Sequence, residues 1–176
     1  MHVIEATDAD LGAALAVSRA AFGGEDVPDL VRELLVDPSA RPLLSLVACD
    51  DGPIIGHALF TAARVGSEEA PGSAVILAPL AIIPDAQGRG VGGLLLRTGL
   101  RLLRDRGVRL VFLAGHPCYY PRHGFVPAYP QGFAPPFPVS PAEAWMVRPL
   151  ESDALDGAGG AVMCANAMDK AEHWRE

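Results

Sequence analysis

The chain has 176 residues, half of them apolar and a fifth charged, with a formal net charge of −7. That length favours one domain with a core large enough to stand alone. The acidic balance, with lysine only at Lys170, excludes a general nucleic-acid coat, which needs clustered cations on phosphates.

Cys49, Cys118 and Cys164 are odd in number and widely spaced. No disulfide framework or CxxC metal clip is expected, and a reducing compartment fits. The histidines lack i, i+4 partners, so no metal is expected either. The segment Met1–Ala6 lacks the charged and apolar regions of a signal peptide. No apolar run approaches the roughly 20 residues of a membrane span. The expectation is a cytoplasmic protein without membrane contact.

His2 to Ala6 reads as a short strand. Thr7 suits a helix N-cap, with Asp8 and Asp10 in the first turn. The helix that follows carries Leu11, Leu15, Ser18 and Phe22 along one stripe and stops at Gly23-Gly24. A second helix is expected from Pro28, a good first-turn residue, to just before Asp37-Pro38. Leu43–Cys49, Ile54–Val65 and Ser73–Ile83 are β-leaning runs. They are separated by the turn Asp50-Asp51-Gly52-Pro53 and the polar loop Gly66–Gly72, which implies an antiparallel meander.

Gly88 to Arg106 has helical period, with Arg97, Arg101, Arg104 and Arg106 in its C-terminal half and Gly107 as a stop. Val108–Ala114 is a buried strand, so strand, helix and strand make a parallel crossover. The sheet is therefore mixed and largely antiparallel. Pro117–Arg122 suits a short helix, and Phe125–Ala128 and Ala144–Leu150 suit strands. The Pro130–Pro141 stretch is too rich in Pro and Gly for regular structure. Glu151–Gly160 is a polar loop, and Ala161–Ala165 a final edge strand.

The chemistry concentrates at Leu80-Ala81-Ile82-Ile83-Pro84-Asp85-Ala86-Gln87-Gly88-Arg89-Gly90-Val91-Gly92-Gly93. Glycines let a backbone close on an anion. The free N–H groups and the dipole of a helix start supply the positive field, and Arg89 can add a charge-assisted contact. The same glycines can instead serve close helix packing. Gly88-x-Gly90-x-x-Gly93 also matches a dinucleotide fingerprint, but that loop should follow its strand directly and be trailed by a ribose-binding acid. Here Pro84–Gln87 intervenes, and the next strand ends at Ala114-Gly115-His116 with no acid. No Gly-Lys-Ser/Thr is present for a P-loop.

Gln87-x-x-Gly90-x-Gly92 also matches the pattern Gln/Arg-x-x-Gly-x-Gly/Ala, and here the chain resembles the GNAT superfamily of acetyl-CoA-dependent N-acyltransferases. A second segment, Gly115-His116-Pro117-Cys118-Tyr119-Tyr120-Pro121-Arg122-His123-Gly124-Phe125, resembles Gly-Asp-Pro-x-Tyr-Tyr-x-Arg-x-Gly-Phe of a bacterial subgroup of uncharacterised acetyltransferases. His116 stands where that subgroup has Asp. The resemblance spans most of the chain and implies a three-layer α/β/α acyl-CoA N-acyltransferase fold, of mixed α/β (α+β) class. It implies a GNAT domain over residues 1–150, with 151–176 as an extension packed on it.

By the same resemblance, Gln87, Gly88, Arg89, Gly90, Val91 and Gly92 hold the pyrophosphate of coenzyme A. Leu80, Ala81 and Ile82 pair with its pantetheine arm, and a backbone N–H near Ile82 meets the oxyanion. Tyr120, in Tyr-x-x-x-Gly-Phe, stands where the family commonly places its general acid, with Tyr119 as a packing residue. Acetyl-CoA is then the co-substrate and a primary amine, on a small molecule or a peptide, the acceptor. A homodimer through the C-terminal edge strand is a further expectation. An acyl-CoA-binding module without catalysis is the competing class, because no base is evident. Glu25, Glu33 and His57 are candidates, His116 and His123 can tune Tyr120, and Cys118 reads as a small buried residue. Phe133 and Phe137 can wall the acceptor site.

Overall fold

The computed structural model describes residues 1–66 and 73–175, so the loop expected over Gly66–Gly72 falls outside them from residue 67 onward. β1 (His2–Glu5) leads through a 3-10 turn into α1 (Leu11–Phe22). The Asp10 carboxylate accepts from the Thr7 N–H at 2.8 Å and from its hydroxyl at 2.9 Å, closing that turn. The expected stripe is buried only in its middle. Leu15 and Ser18 join the core beside Ala14 and Val17, whereas Leu11 and Phe22 are exposed. Each borders a cavity at its own end of the helix.

α2 (Asp26–Val36) begins two residues before Pro28. The proline still sits within the first turn, where a missing N–H costs nothing, and Asp26 and Asp29 suit a helix start. β2 (Leu44–Cys49), β3 (Ile54–Val65) and β4 (Ala74–Ile82) form the antiparallel meander. α3 (Val91–Asp105) then returns the chain to β5 (Leu110–Ala114), which runs parallel to β4. β6 (Val126–Pro127), β7 (Phe133–Ala134), β8 (Trp145–Pro149) and β9 (Gly160–Met163) follow, and the main sheet has the order β1-β2-β3-β4-β5-β8-β6. One core cluster joins α1 and α2 to one face, through Leu15, Val31, Leu34, Leu59 and Phe112. A second joins α3 to the other, through Leu95, Leu96, Phe60 and Val111. The result is three layers, α/β/α, around a mixed sheet.

Two late segments differ from expectation. The Pro130–Pro141 stretch contains β7, which pairs parallel with β9. β9 also pairs antiparallel with the end of β3, Arg64 opposite Met163 and Val65 opposite Val162. With neighbours on both sides, β9 is not the open edge through which a dimer was expected. Downstream, Trp174 packs edge-on to Trp145, which stacks on Phe112 at 5.3 Å. The Asp37 carboxylate accepts from the Ala167 N–H at 2.8 Å. Among the described residues no helix is long and apolar enough to cross a membrane.

α3 lies unusually close to the sheet. A Cβ on Gly99 would stand 2.6 Å from two ring carbons of Phe60, which is fully buried. Under the opposite helices, the fully buried His57 accepts or donates one bond, Nε2 to Ser45 Oγ at 3.0 Å, while its Nδ1 has no partner. Burial pushes this imidazole from its usual 6.5 down to about 4.

Gly99→Ala gains roughly 1 kcal/mol of helix propensity, but the buried Phe60 ring has nowhere to go. A net destabilisation of about 1–2 kcal/mol is expected from the overpacking, measured by denaturant unfolding. His57 makes stability depend on pH. The unfolded chain binds its proton from about 6.5 downward and the folded chain only near 4, so stability is full above that window and falls as the pH drops through it. The loss by pH 4 is on the order of 3 kcal/mol. His57→Gln is expected to remove that part of the acid sensitivity, read from unfolding midpoints between pH 7 and pH 4.

Candidate active site

β4 and β5 pair over only three rungs, Ala74 with Leu110, Val75 with Val111 and Ile76 with Phe112. Beyond them β4 carries an irregularity, since Phe60 of β3 faces Leu77 and Ala58 faces Leu80. Ala78 and Pro79 fall in that gap, and proline has no N–H for a ladder. β5 meanwhile keeps its antiparallel partner β8 through all five residues, and Gly115 N–H goes on to donate to Ala144 O at 2.9 Å. The two strands therefore part, and a cleft of about 650 Å³ opens between their ends.

The register shows which backbone groups face it. Ile83 N–H donates to Ile55 O across to β3, so the pair Ile82–Gly56 is a non-hydrogen-bonded one, and so is Leu80–Ala58 two residues back. Leu80 and Ile82 thus turn their N–H and C=O groups away from β3, toward the space β5 has left. Ala81 is fully buried opposite His57 and is committed to β3. Of the three strand-end residues, Leu80 and Ile82 line the cleft.

The floor is the turn into α3. The helix begins at Val91, not Gly88, because Gly88 and Gly90 have φ of +73° and +83°, outside the right-handed helix. Leu94 N–H is the first to bond back along the helix, to Gly90 O at 3.0 Å. The amides from Gly88 to Gly93 precede it and have no protein acceptor among the described residues. A Cβ at Gly88 or Gly90 would meet nothing within 4 Å, so the space above these amides is open. The two polar side chains of the motif point elsewhere. Gln87 Nε2 donates to Ile82 O at 3.1 Å, and Arg89 Nη2 pairs with Asp50 at 2.7 Å. Both tie the turn to its surroundings, Gln87 to the end of β4 and Arg89 to the β2–β3 hairpin.

The far wall is the short 3-10 segment after β5. Tyr119 packs against the core as expected and also lines the cleft, with its hydroxyl 2.6 Å from where a Cβ on Gly92 would be. Tyr120 lies against Gly115, edge-on to Tyr119 and Phe125. Burial pushes the Tyr120 phenol well above its usual range, with Tyr119 adding to the effect. Burial also raises Tyr119, against the opposing fields of Arg122 and Arg97. His123 is lowered by burial and then by Arg122, Arg97 and Arg148. His116, Arg97 and Arg122 complete this side, and Ala21 and Phe22 at the end of α1 border the opening. No carboxylate lines the cleft among the described residues.

Other candidates lie elsewhere. Glu25 is held by Arg19 in a two-point ion pair that lowers its carboxyl below the usual range, and Glu33 pairs with Lys170 at 3.2 Å. His57 turns toward Ser45 of β2. Cys118 is exposed, not buried. Phe133 is 1% exposed and edge-on to Phe112, its carbonyl accepting from Trp145 Nε1 at 3.2 Å. Phe137 packs on the same core, so neither walls the cleft. Among the described residues no cluster of His, Cys, Asp or Glu is placed to hold a metal ion.

Residues 14–128 match the profile of the Acetyltransferase (GNAT) family. An Escherichia coli (strain K12) protein named uncharacterized N-acetyltransferase YjhQ is 45% identical over 154 residues, covering 85% of this chain and 84% of that protein. A mycothiol acetyltransferase of Rhodococcus jostii is 42% identical over 82 residues, 46% of this chain and 26% of the relative. Among solved structures, the Escherichia coli GNAT family N-acetyltransferase YhbS in complex with CoA superposes with a TM-score of 0.87 at 29% identity, covering 96% of this chain and 91% of that one. A Brucella melitensis GNAT family acetyltransferase in complex with acetyl-CoA gives 0.76 at 29% identity, covering 96% and 97%. The splayed strands, the open glycine turn and these likenesses agree: the chain belongs to the GNAT acetyltransferase family and is an N-acetyltransferase of that type.

Proposed function

We propose that the chain moves an acetyl group from acetyl-CoA directly to a primary amine of a small molecule or protein terminus, within one ternary complex. The observation that carries this is the juxtaposition of three features in one cleft: the backbone of Leu80 and the N–H of Ile82 turned away from β3, the free amides from Gly88 to Gly92, and Tyr120 on the facing wall. The amides, Val91 included, take the pyrophosphate, as a helix start takes any anion. Gln87 and Arg89 brace that turn through their side chains. Leu80 and Ile82 take the amide groups of the pantetheine arm, with Ala81 held behind them. The Ile82 N–H is the donor for the developing oxyanion.

The amine must lose its proton before it can attack, since an ammonium has no lone pair. Glu25, Glu33 and His57 are all turned elsewhere, and His116 is the exposed imidazole on the cleft. We assign it the base role: it takes the ammonium proton and passes it to water. The neutral nitrogen then forms its bond to the thioester carbon, the carbon–sulfur bond breaks, Tyr120 protonates the departing thiolate, and the second proton shed by the acylated nitrogen returns through water to the phenol. The raised phenol pKa does not bar that transfer, because the thiolate forms in the same desolvated space and its own proton affinity rises with it. Residues 151–176 serve as a structural extension of the same domain, and the working location is the cytoplasm.

Binding is tested by thermal shift with acetyl-CoA, longer acyl-CoAs and NAD. Acetyl-CoA at about 100 times its Kd should stabilise the fold by roughly 2.7 kcal/mol; stabilisation by NAD instead would return the turn to a dinucleotide role. A panel of amines with detection of free thiol then identifies the acceptor. With that acceptor, Tyr120→Phe should lower kcat by about 10²–10⁴-fold while leaving the Kd of acetyl-CoA unchanged. Undiminished turnover at every pH would remove the acid role from Tyr120.

A further inference from the structure

A second cavity, of about 320 Å³, lies at the opposite end of α1 from the acyl-transfer cleft. The start of α1 and the end of α2 leave a gap there over β2 and β3. Leu11, Ala14, Leu35, Val36 and Leu43 wall it, and Ser45 and His57 line it too. Leu11 borders this cavity and Phe22 borders the cleft. The length of α1 sets those two residues about 16 Å apart, so the cavities are separate. Leu11 and Val36 are both exposed, so the apolar wall runs out to an apolar lip.

The polar pair decides what this cavity can take. Ser45 is 9% exposed and His57 fully buried. Ser45 stands two residues along β2 from Val47, the partner of His57 on β3, so both side chains are on one face of the sheet, under the helices. Ser45 Oγ and His57 Nε2 are bonded at 3.0 Å. The ring is neutral at pH 7 and so carries one N–H. On Nδ1 that proton would be a buried donor without an acceptor, since Nδ1 has no partner among the described residues. Orphaned N–H groups are rarer than unused lone pairs. The proton therefore sits on Nε2 and is donated to Ser45 Oγ. The serine hydroxyl makes no other side-chain bond among the described residues, so its own proton is unspent and has the cavity to point into.

An oxygen that accepts one hydrogen bond satisfies that serine. A carboxylate does not suit the spot, because the imidazole beside it is neutral and a buried charge needs a partner. The mouth sets the carboxylates of Glu5 and Asp8 beside the Arg41 guanidinium, so no net positive field draws an anion in. Everything else the ligand meets inside is apolar, in a volume at the small end of ligand sites. We propose that this cavity is a second small-molecule site, which takes an uncharged compound with a compact apolar body and one acceptor oxygen, a ketone or an ester, bonded by the Ser45 hydroxyl. The site stands whether or not the cleft takes acetyl-CoA.

The test is a titration of the full chain followed by proton–nitrogen correlation spectra. The ligands are acetophenone and α-methylstyrene, in which a CH2 group replaces the carbonyl oxygen. Acetophenone should move the amides of Leu11, Leu43 and Ser45 saturably, with acetyl-CoA present as without it. It should bind about three- to tenfold more tightly than α-methylstyrene, the value of one neutral hydrogen bond. Ser45→Ala should bring that ratio close to one while α-methylstyrene keeps its affinity. Circular dichroism checks that this variant folds, since it removes a buried partner of His57. Val36→Asp, on the exposed lip, leaves the core untouched and should weaken both compounds by the same factor. Saturable shifts at Leu80, Ile82 and Tyr119 instead would put the compound in the acyl-transfer cleft and overturn the inference. Shifts that never saturate overturn it, as does equal affinity of the wild type for the two compounds. A Ser45→Ala protein that still prefers acetophenone, or a Val36→Asp protein that binds both compounds like the wild type, overturns it as well.

Discussion

The site depends on two neighbouring parallel strands that stop pairing before either one ends. Buried backbone N–H and C=O groups that lack partners are costly, so a sheet that parts in its own middle needs a reason on each side. On the β4 side, Ala78 and Pro79 interrupt the regular register, and the proline cannot donate. On the β5 side, five rungs with β8 and a further bond from Gly115 hold the strand on a course away from β4. Neither strand can close the gap without surrendering its outer neighbour. What remains is a row of strand polar groups from Leu80 to Ile82 with no strand beside it. A chain of amides such as the arm of coenzyme A can complete the ladder there. The fold holds the cleft open by the same bonds that keep its sheet together.

The helix that supplies the anion turn is placed by packing, and its glycines divide that labour. Gly99 and, across from it, Gly56 let α3 sink onto the sheet, since a Cβ at either would lie within 3.0 Å of a neighbouring side chain. Gly88 and Gly90 instead let the chain bend left-handedly so that its amides face outward. Arg89 and Gln87 spend their hydrogen bonds on Asp50 and on Ile82. The turn therefore attracts an anion through backbone dipoles fixed in place.

Much of this was legible because it rests on local rules. The bounds of β3, Ile54–Val65, coincide with the β-leaning run read between two turn segments, and the glycine turn announced itself by composition. The misreadings share one cause: they concern which neighbour a side chain meets. Phe133 sits among prolines and glycines, where an exposed loop is the natural expectation, yet Phe112 and Trp145 from distant strands enclose it. Leu11 and Phe22 continue an apolar stripe, but the stripe outruns the surface it packs on. Cys118 follows the usual burial of cysteine until a tight turn carries it outward. The position of Arg97 was equally invisible. Read along the helix it was one of four C-terminal cations, and only the fold sets it beside Gly93 and His123.

The division of proton work in the proposed reaction follows from exposure more than from residue type. Tyr120 is enclosed by Gly115, Tyr119 and Phe125, and enclosure favours the neutral phenol. A group held protonated can give a proton at the moment charge develops beside it, but it cannot collect one from an ammonium. Collecting requires a site that water can discharge between turnovers. His116 is on the solvent side of the cleft, immediately beyond the last residue paired to Ala144. The buried His57 has the right ring and the wrong surroundings, since its charged form is disfavoured and its free nitrogen faces no solvent. In the proposed reaction, burial thus sorts three candidate groups into an acid, a base and a structural residue.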